Sequence, residues 1–147
     1  MRLAHALIAK SIAETILIGS IAVVFYASTF PPTYHGWAEP LPYEIAGWAV
    51  NQATQAERLE VQLFIDGKFV SSATANQSRP DVVAAGWAAD EWHGYKFNLP
   101  SLNAGPHEAT VYALHISAGG KRQTLQLLGD PVKFVITPNG DAKSEAK

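Results

Sequence analysis

Two patterns of hydrophobic spacing divide the chain. From 12 to 28 (IAETILIGSIAVVFYAS) the residues are almost continuously apolar, with Glu14 the single charge, the pattern of a helix that is hydrophobic on all sides rather than along one stripe. From Leu59 onward the period changes to two. Leu59, Val61, Leu63 and Ile65 alternate with Glu60, Gln62 and Phe64, as in a strand with one buried face. Asp66-Gly67 then supplies two residues that accept positive φ, the requirement of a type I′ turn, and 68–74 returns as the second strand of a hairpin. Counting outward from the turn pairs Ile65 with Lys68, Phe64 with Phe69 and Leu63 with Val70. Further strands are predicted at 44–50, 95–99, 108–117, 123–127 and 132–137, separated by Asn103-Ala104-Gly105-Pro106, Ala118-Gly119-Gly120-Lys121 and Gly129-Asp130-Pro131. Seven short strands with no second helix predict an all-β, two-sheet antiparallel sandwich.

The apolar run of 12–28 would measure about 26 Å as a helix, and Leu3 to Ala9 extends it, with Lys10 able to snorkel toward headgroups. The expectation is one N-terminal transmembrane helix and a bilayer partner through 12–28. Lys10 and Glu14 are one helical turn apart, so each lowers the other's desolvation cost. Arg2 and Lys10 precede the run and no Lys or Arg follows until Arg58, which predicts the N-terminus inside the cytoplasmic membrane and the rest of the chain outside the cytoplasm. A cleaved signal peptide would share these features, but Phe25-Tyr26-Ala27 puts a bulky residue where a small one is needed. An uncleaved signal anchor is therefore expected.

The prolines mark the next boundary. Four of the nine lie in 30–43 (FPPTYHGWAEPLPY), which predicts an extended, semi-rigid stalk. Phe30, Tyr34 and Trp37 would lie there at the membrane interface together with Lys10. The domain plan is thus a cytoplasmic stub and anchor at 1–29, a stalk at 30–43, a sandwich at 44–137 and a frayed polar tail at 138–147.

Composition narrows the function classes. The chain has 147 residues, a formal charge of −2 and no cysteine. That excludes disulfides and thiolate chemistry, and the missing basic run argues against nucleic acid as a partner.

Several motifs together resemble a bacterial extracellular immunoglobulin-like β-sandwich module: Ala46-Gly47-Trp48-Ala49, Phe64-Ile65-Asp66-Gly67, Ala75-Asn76-Gln77-Ser78-Arg79-Pro80-Asp81-Val82, His93-Gly94-Tyr95, and Gly105-Pro106-His107 before Val111-Tyr112-Ala113. The resemblance covers roughly 43–137. It implies an Ig-like sandwich in an exported setting and carries over no catalytic residues. The triplet Gly-Trp-Ala occurs at 36, 47 and 86, and this unequal spacing argues against a solenoid. Arg79 and Asp81 are expected to pair with each other or with backbone.

Candidate chemistry concentrates in 82–94 (VVAAGWAADEWHG). Trp87, Asp90, Glu91, Trp92 and His93 join flat aromatic faces to hydrogen-bonding groups, as sugar binding requires. The competing reading makes Trp87 and Trp92 the loop's own small core. His107 and His115, about 26 Å apart on a regular strand, cannot share an ion. No metal site, cofactor or catalytic residue is expected, since no phosphate loop, nucleophile elbow or zinc framework is present. The expected function is a membrane-anchored, exported binding or scaffolding module of the cell envelope, not an enzyme, with a glycan or an envelope protein as partner. The alternatives are a passive structural subunit of an envelope complex and, third, a small hydrolase.

Overall fold

The computed structural model describes residues 2–29 (side chains at 5 and 7–23), 34–116, 120 and 123–144. The chain forms two compact units, 1–31 and 32–147. The first is the helix α1 (Arg2–Thr29). Leu7, Ile8, Ile12, Ile16, Leu17, Ile18, Ile21 and Val23 are all exposed on it, and at 100° per residue they lie on every side. Its polar groups bond within the helix: Thr15 Oγ1 donates to the Ser11 carbonyl, Ser20 Oγ donates to the Ile16 carbonyl, and Lys10 lies 3.7 Å from Glu14. Among the described residues no helix is long and apolar enough to cross a membrane. The predicted helix at 12–28 is therefore present, but its described portion does not amount to the expected span. Lys10 and Glu14 interrupt the apolar stretch at one end, and the side chains at 24–29 fall outside the description at the other.

The second unit is β-sandwich-like. One sheet has the order β1 (Tyr34–Leu41), β2 (Glu44–Asn51), β6 (Trp92–Asn98), β5 (Gln77–Ser78). The other has the order β10 (Ala142–Ser144), β9 (Val132–Ile136), β7 (Gly105–Ile116), β3 (Glu60–Ile65), β4 (Lys68–Thr74), with β8 (Gln123–Leu127) also paired to β7. All the pairings are antiparallel. Ile45, Ala49, Tyr95 and Phe97 from the first sheet share a core with Val61, Leu63, Val111 and Phe134 from the second. The alternation of β3 thus places its odd-numbered residues inside, as the sequence predicted.

The hairpin forms with Asp66 at φ 51° and Gly67 at φ 75°. Ile65 pairs with Lys68 and Phe64 with Phe69, but Leu63 faces Ser71 rather than Val70. Val70 is the extra residue of a β-bulge.

Three other expectations need correction. Tyr34–Leu41, expected as stalk, is a strand paired along its whole length with β2; Pro40 is tolerated because β1 is an edge strand. Residues 30–33, Phe30 among them, lie outside the described residues. The tail is not wholly frayed, since Ala142 is buried and its N–H donates to the Pro42 carbonyl. A short second helix, α2 (Pro80–Ala84), follows β5, with proline in the first turn where its missing N–H is not needed.

Gly67→Val should cost roughly 1–2 kcal/mol, because nothing crowds a Cβ there and the whole penalty is backbone strain. Gly47→Ala should cost more, since its Cβ would collide with the Trp37 carbonyl and the Tyr95 phenol. Urea unfolding of the two variants checks both values, and the order of the two costs separates turn strain from packing.

Candidate functional site

Of the predicted cluster in 82–94 the structure brings Asp90 and His93 together, with His93 Nε2 3.5 Å from Asp90 Oδ1, but does not turn Trp92 toward them. β6 begins at Trp92, three residues before the predicted start, so Trp92 and His93 are neighbours on a strand and point to opposite faces. Trp92 is 48% exposed whereas His93 is fully buried. Asp90 is held by Arg58, whose Nη2 lies 2.9 Å from both carboxylate oxygens, and Asp90 Oδ1 also accepts the Trp92 N–H. These bonds, the Arg58 contact first, hold the Asp90 carboxyl below the usual carboxylate range. Arg58 Nη1 also lies 3.2 Å from His93 Nε2. A guanidinium only donates, so Nε2 accepts and His93 is the Nδ1–H tautomer. That Nδ1 makes no hydrogen bond, although the Ala49 and Gln55 carbonyls act on the ring. Burial and then Arg58 lower its basicity. With Nε2 occupied by Arg58 and Nδ1 sealed from solvent, His93 presents no accessible ring nitrogen to a ligand. Glu91 accepts from Ser78 Oγ, and its carbonyl accepts the Arg79 and His93 N–H groups.

A different set of residues does come together, on the outer face of the four-stranded sheet. In β1 the alternation turns Tyr34 and Ala38 inward and His35, Trp37 and Glu39 outward. The first two Gly-Trp-Ala triplets are antiparallel partners: Trp37 faces Trp48, Gly36 faces Ala49, and Ala38 faces Gly47. The third brings Trp87 to the same face from the loop after α2. The Trp87 ring stacks on His35 (5.3 Å, 28°) and lies 5.9 Å from Trp48. Val50, Val82 and Ala88 form a small core beneath, with Trp48 and Val83 packed against it. Trp37 remains 55% exposed and Trp87 42% exposed. So the loop's small core is made by Val82 and Ala88 rather than by Trp87 and Trp92, both of which stay partly exposed. The unequal triplet spacing conceals a spatial cluster; the available signal was that Trp37 and Trp48 are equidistant from Pro42-Tyr43, the β1–β2 turn.

The remaining candidates are structural. Tyr34, expected at a membrane interface, is buried in the sandwich, where burial and then Glu57 push its phenol up to about 12. Lys10 is exposed on α1. Arg79 and Asp81 form the expected pair, with Nε to Oδ1 at 2.8 Å and Nη2 to Oδ2 at 2.7 Å, and Arg79 packs over Gly94 where a Cβ would meet its Cγ. Among the described residues no three histidine or carboxylate side chains are grouped to hold a metal.

His107 joins two resemblance motifs that lie far apart in sequence. Its Nδ1 is 2.7 Å from Asp66 Oδ2 and its Nε2 is 2.9 Å from the Asn103 carbonyl. Both partners are acceptors when Asp66 is ionised, so only the imidazolium satisfies both. The Asn103 carbonyl and then Asp66 raise the His107 pKa above its ordinary value. Asp66 is lowered in turn, by His107 first and by the Glu108 N–H second.

No protein family, curated protein or solved structure matches this chain.

The stabilising contribution of His107 should be complete below its unfolded value of about 6.5 and lost as pH rises through its higher folded value. That of Asp66 is present above about 3.8 and lost in acid, below that value. Melting of the parent and of His107→Gln across pH should therefore give a difference that is largest between these limits and that closes at alkaline pH. A difference that widens above neutrality would show that the ring is held neutral.

Proposed function

We propose that this protein is an Ig-like recognition module of the cell envelope, tethered by α1 in the cytoplasmic membrane with its sandwich outside the cytoplasm, and that its outer aromatic face takes a carbohydrate. The observation that carries the reading is the gathering of Trp37, Trp48 and Trp87, from three separate parts of the chain, on one partly exposed face. Flat indole surfaces suit the C–H face of a pyranose, whose hydroxyls then need polar neighbours. Glu39 shares that face with Trp37. This moves the binding surface from the expected Asp90, Glu91 and His93 to the sheet, because those three already have internal partners. Neighbouring exposed aromatic side chains beside polar groups are the kind of surface that marks an interaction site.

The tether reading rests on exposed apolar side chains on all sides of α1 between Leu7 and Val23 and on hydroxyls that bond to the helix's own carbonyls, an arrangement that suits lipid, where polar groups must find partners internally. The sequence continues the apolar run through 24–28.

The full chain in detergent should be retained by one or more immobilised neutral polysaccharides or by isolated cell-wall material. Trp37→Ala should lose that retention while its melting temperature stays within a few degrees of the parent, the shift expected for a loss near 1 kcal/mol. Trp87→Ala should also lose it, with a further stability cost of about 1–2 kcal/mol from the two ring contacts. Retention unchanged in both variants would remove the aromatic face from the function, and no retention of the parent would favour the passive scaffold.

A further inference from the structure

We propose that Arg58, Asp90 and His93 form an acid-operated latch: a proton taken from solvent by His93 moves Asp90 from Arg58 to the imidazolium and releases Arg58 together with the segment 52–58 that it anchors. In the closed latch one guanidinium spans two groups. Arg58 Nη1 is 3.2 Å from His93 Nε2, and Nη2 is 2.9 Å from both carboxylate oxygens of Asp90. Asp90 Oδ1 in turn lies 3.5 Å from the same Nε2. A hydrogen on Arg58 therefore occupies the position that a proton on His93 would need.

Once Nε2 is protonated, two cationic donors face each other, while Oδ1 has less than about 1 Å to close before it accepts from the ring. Burial decides which group leaves. His93 is fully buried and cannot carry its charge to water, whereas the Arg58 side chain is 31% exposed and its guanidinium can be hydrated where it stands. Arg58 and Asp90 are the charged groups that act on the ring, and the Ala49 and Gln55 carbonyls favour its charged form. The neighbouring carboxylates are engaged elsewhere, Glu57 by Asn51 and Glu91 by Ser78. Burial first and Arg58 second hold His93 below its ordinary value of 6.5. The latch is therefore closed at neutral pH, and the stability it contributes is lost as pH falls below that value, where the unfolded chain takes up the proton more readily.

The released segment has little else to fix it to its surroundings. Thr54 N–H donates to the Asn51 carbonyl and Glu57 N–H to the Thr54 carbonyl, which closes 52–58 on itself and on the end of β2. Among the described residues its other hydrogen bond to the loop 85–91 runs from Gln52 Nε2 to the Trp87 carbonyl, long at 3.4 Å. Asp90, by contrast, keeps the Trp92 N–H and gains the imidazolium. Acid thus frees one loop and leaves the other pinned.

The full chain in detergent tests this by nitrogen NMR of the His93 ring and by amide hydrogen exchange, corrected for the intrinsic rate at each pH. The expected result is protonation of His93 Nε2 below about pH 6.5, accompanied by a several-fold loss of protection in 52–58, with 85–91 and the Asp66-Gly67 hairpin unchanged. Arg58→Gln should lose that protection already at neutral pH and should make His93 titrate at a higher pH, because a neighbouring cation has gone. Should Arg58→Gln not fold, Asp90→Asn removes the acceptor and should push the His93 titration lower still. Protonation of His93 with 52–58 still protected overturns the proposal. So does a His93 that stays neutral until the whole sandwich unfolds, or loss of protection in all strands at once. A His93 titration that neither variant moves overturns it as well.

Discussion

The four-stranded sheet depends on the close approach of Tyr95 to the backbone of β1 and β2. The phenol lies over Gly47, where a Cβ would fall within 2.4 Å of its hydroxyl, and it donates to the Trp37 carbonyl at 3.1 Å. One buried side chain of β6 thereby fixes the third strand to the first across the second. Burial is what makes the bond firm, and it pushes the phenol far above its ordinary range. Because Tyr95, Gly47 and the Trp37 carbonyl are committed inward, the indoles of Trp37 and Trp48 have only the outer face left to them. The aromatic surface is thus the reverse side of a packing solution.

The same logic runs through the residues that produced the resemblance. Gly94 leaves room for Arg79, which binds Asp81; Asp66 and His107 hold the hairpin turn to the start of β7; Ala75 is fully buried. These positions explain one another as internal fastenings of a sandwich. A pattern composed of fastenings carries information about fold and little about ligand, and the surfaces it leaves open are those outside the pattern or on the far side of its glycines.

Legibility followed the same division. The hairpin of 60–74 could be read because alternation and the Asp66-Gly67 turn agree, each local and each sufficient for the register near the turn. The bulge at Val70 could not, since an inserted residue leaves no local trace in a run such as Lys68-Phe69-Val70-Ser71-Ser72. β1 was hidden by Pro40 and the prolines that flank it, whose preference for an extended chain is shared by stalks and edge strands; what decides between them is the partner strand, supplied by residues 44–51. In the candidate site, residue types alone grouped Trp92 with His93. A strand that starts three residues early separates them, and the early start is fixed by β5, a two-residue strand no periodicity reveals. Arg58, which engages Asp90 and His93, stands more than thirty positions away.

The bulge has a bearing on how many copies of this domain can share a small area. β4 is the outer edge of its sheet, and a flat edge offers its free N–H and C=O groups to any passing strand. The extra residue at Val70 twists that edge, and Lys68 at its start adds a charge that a second copy would have to meet with its own. Domains crowded on a surface collide edge to edge far more often than in dilute solution. An edge that refuses a partner keeps such encounters brief, and keeps neighbouring copies from fusing into a continuous sheet.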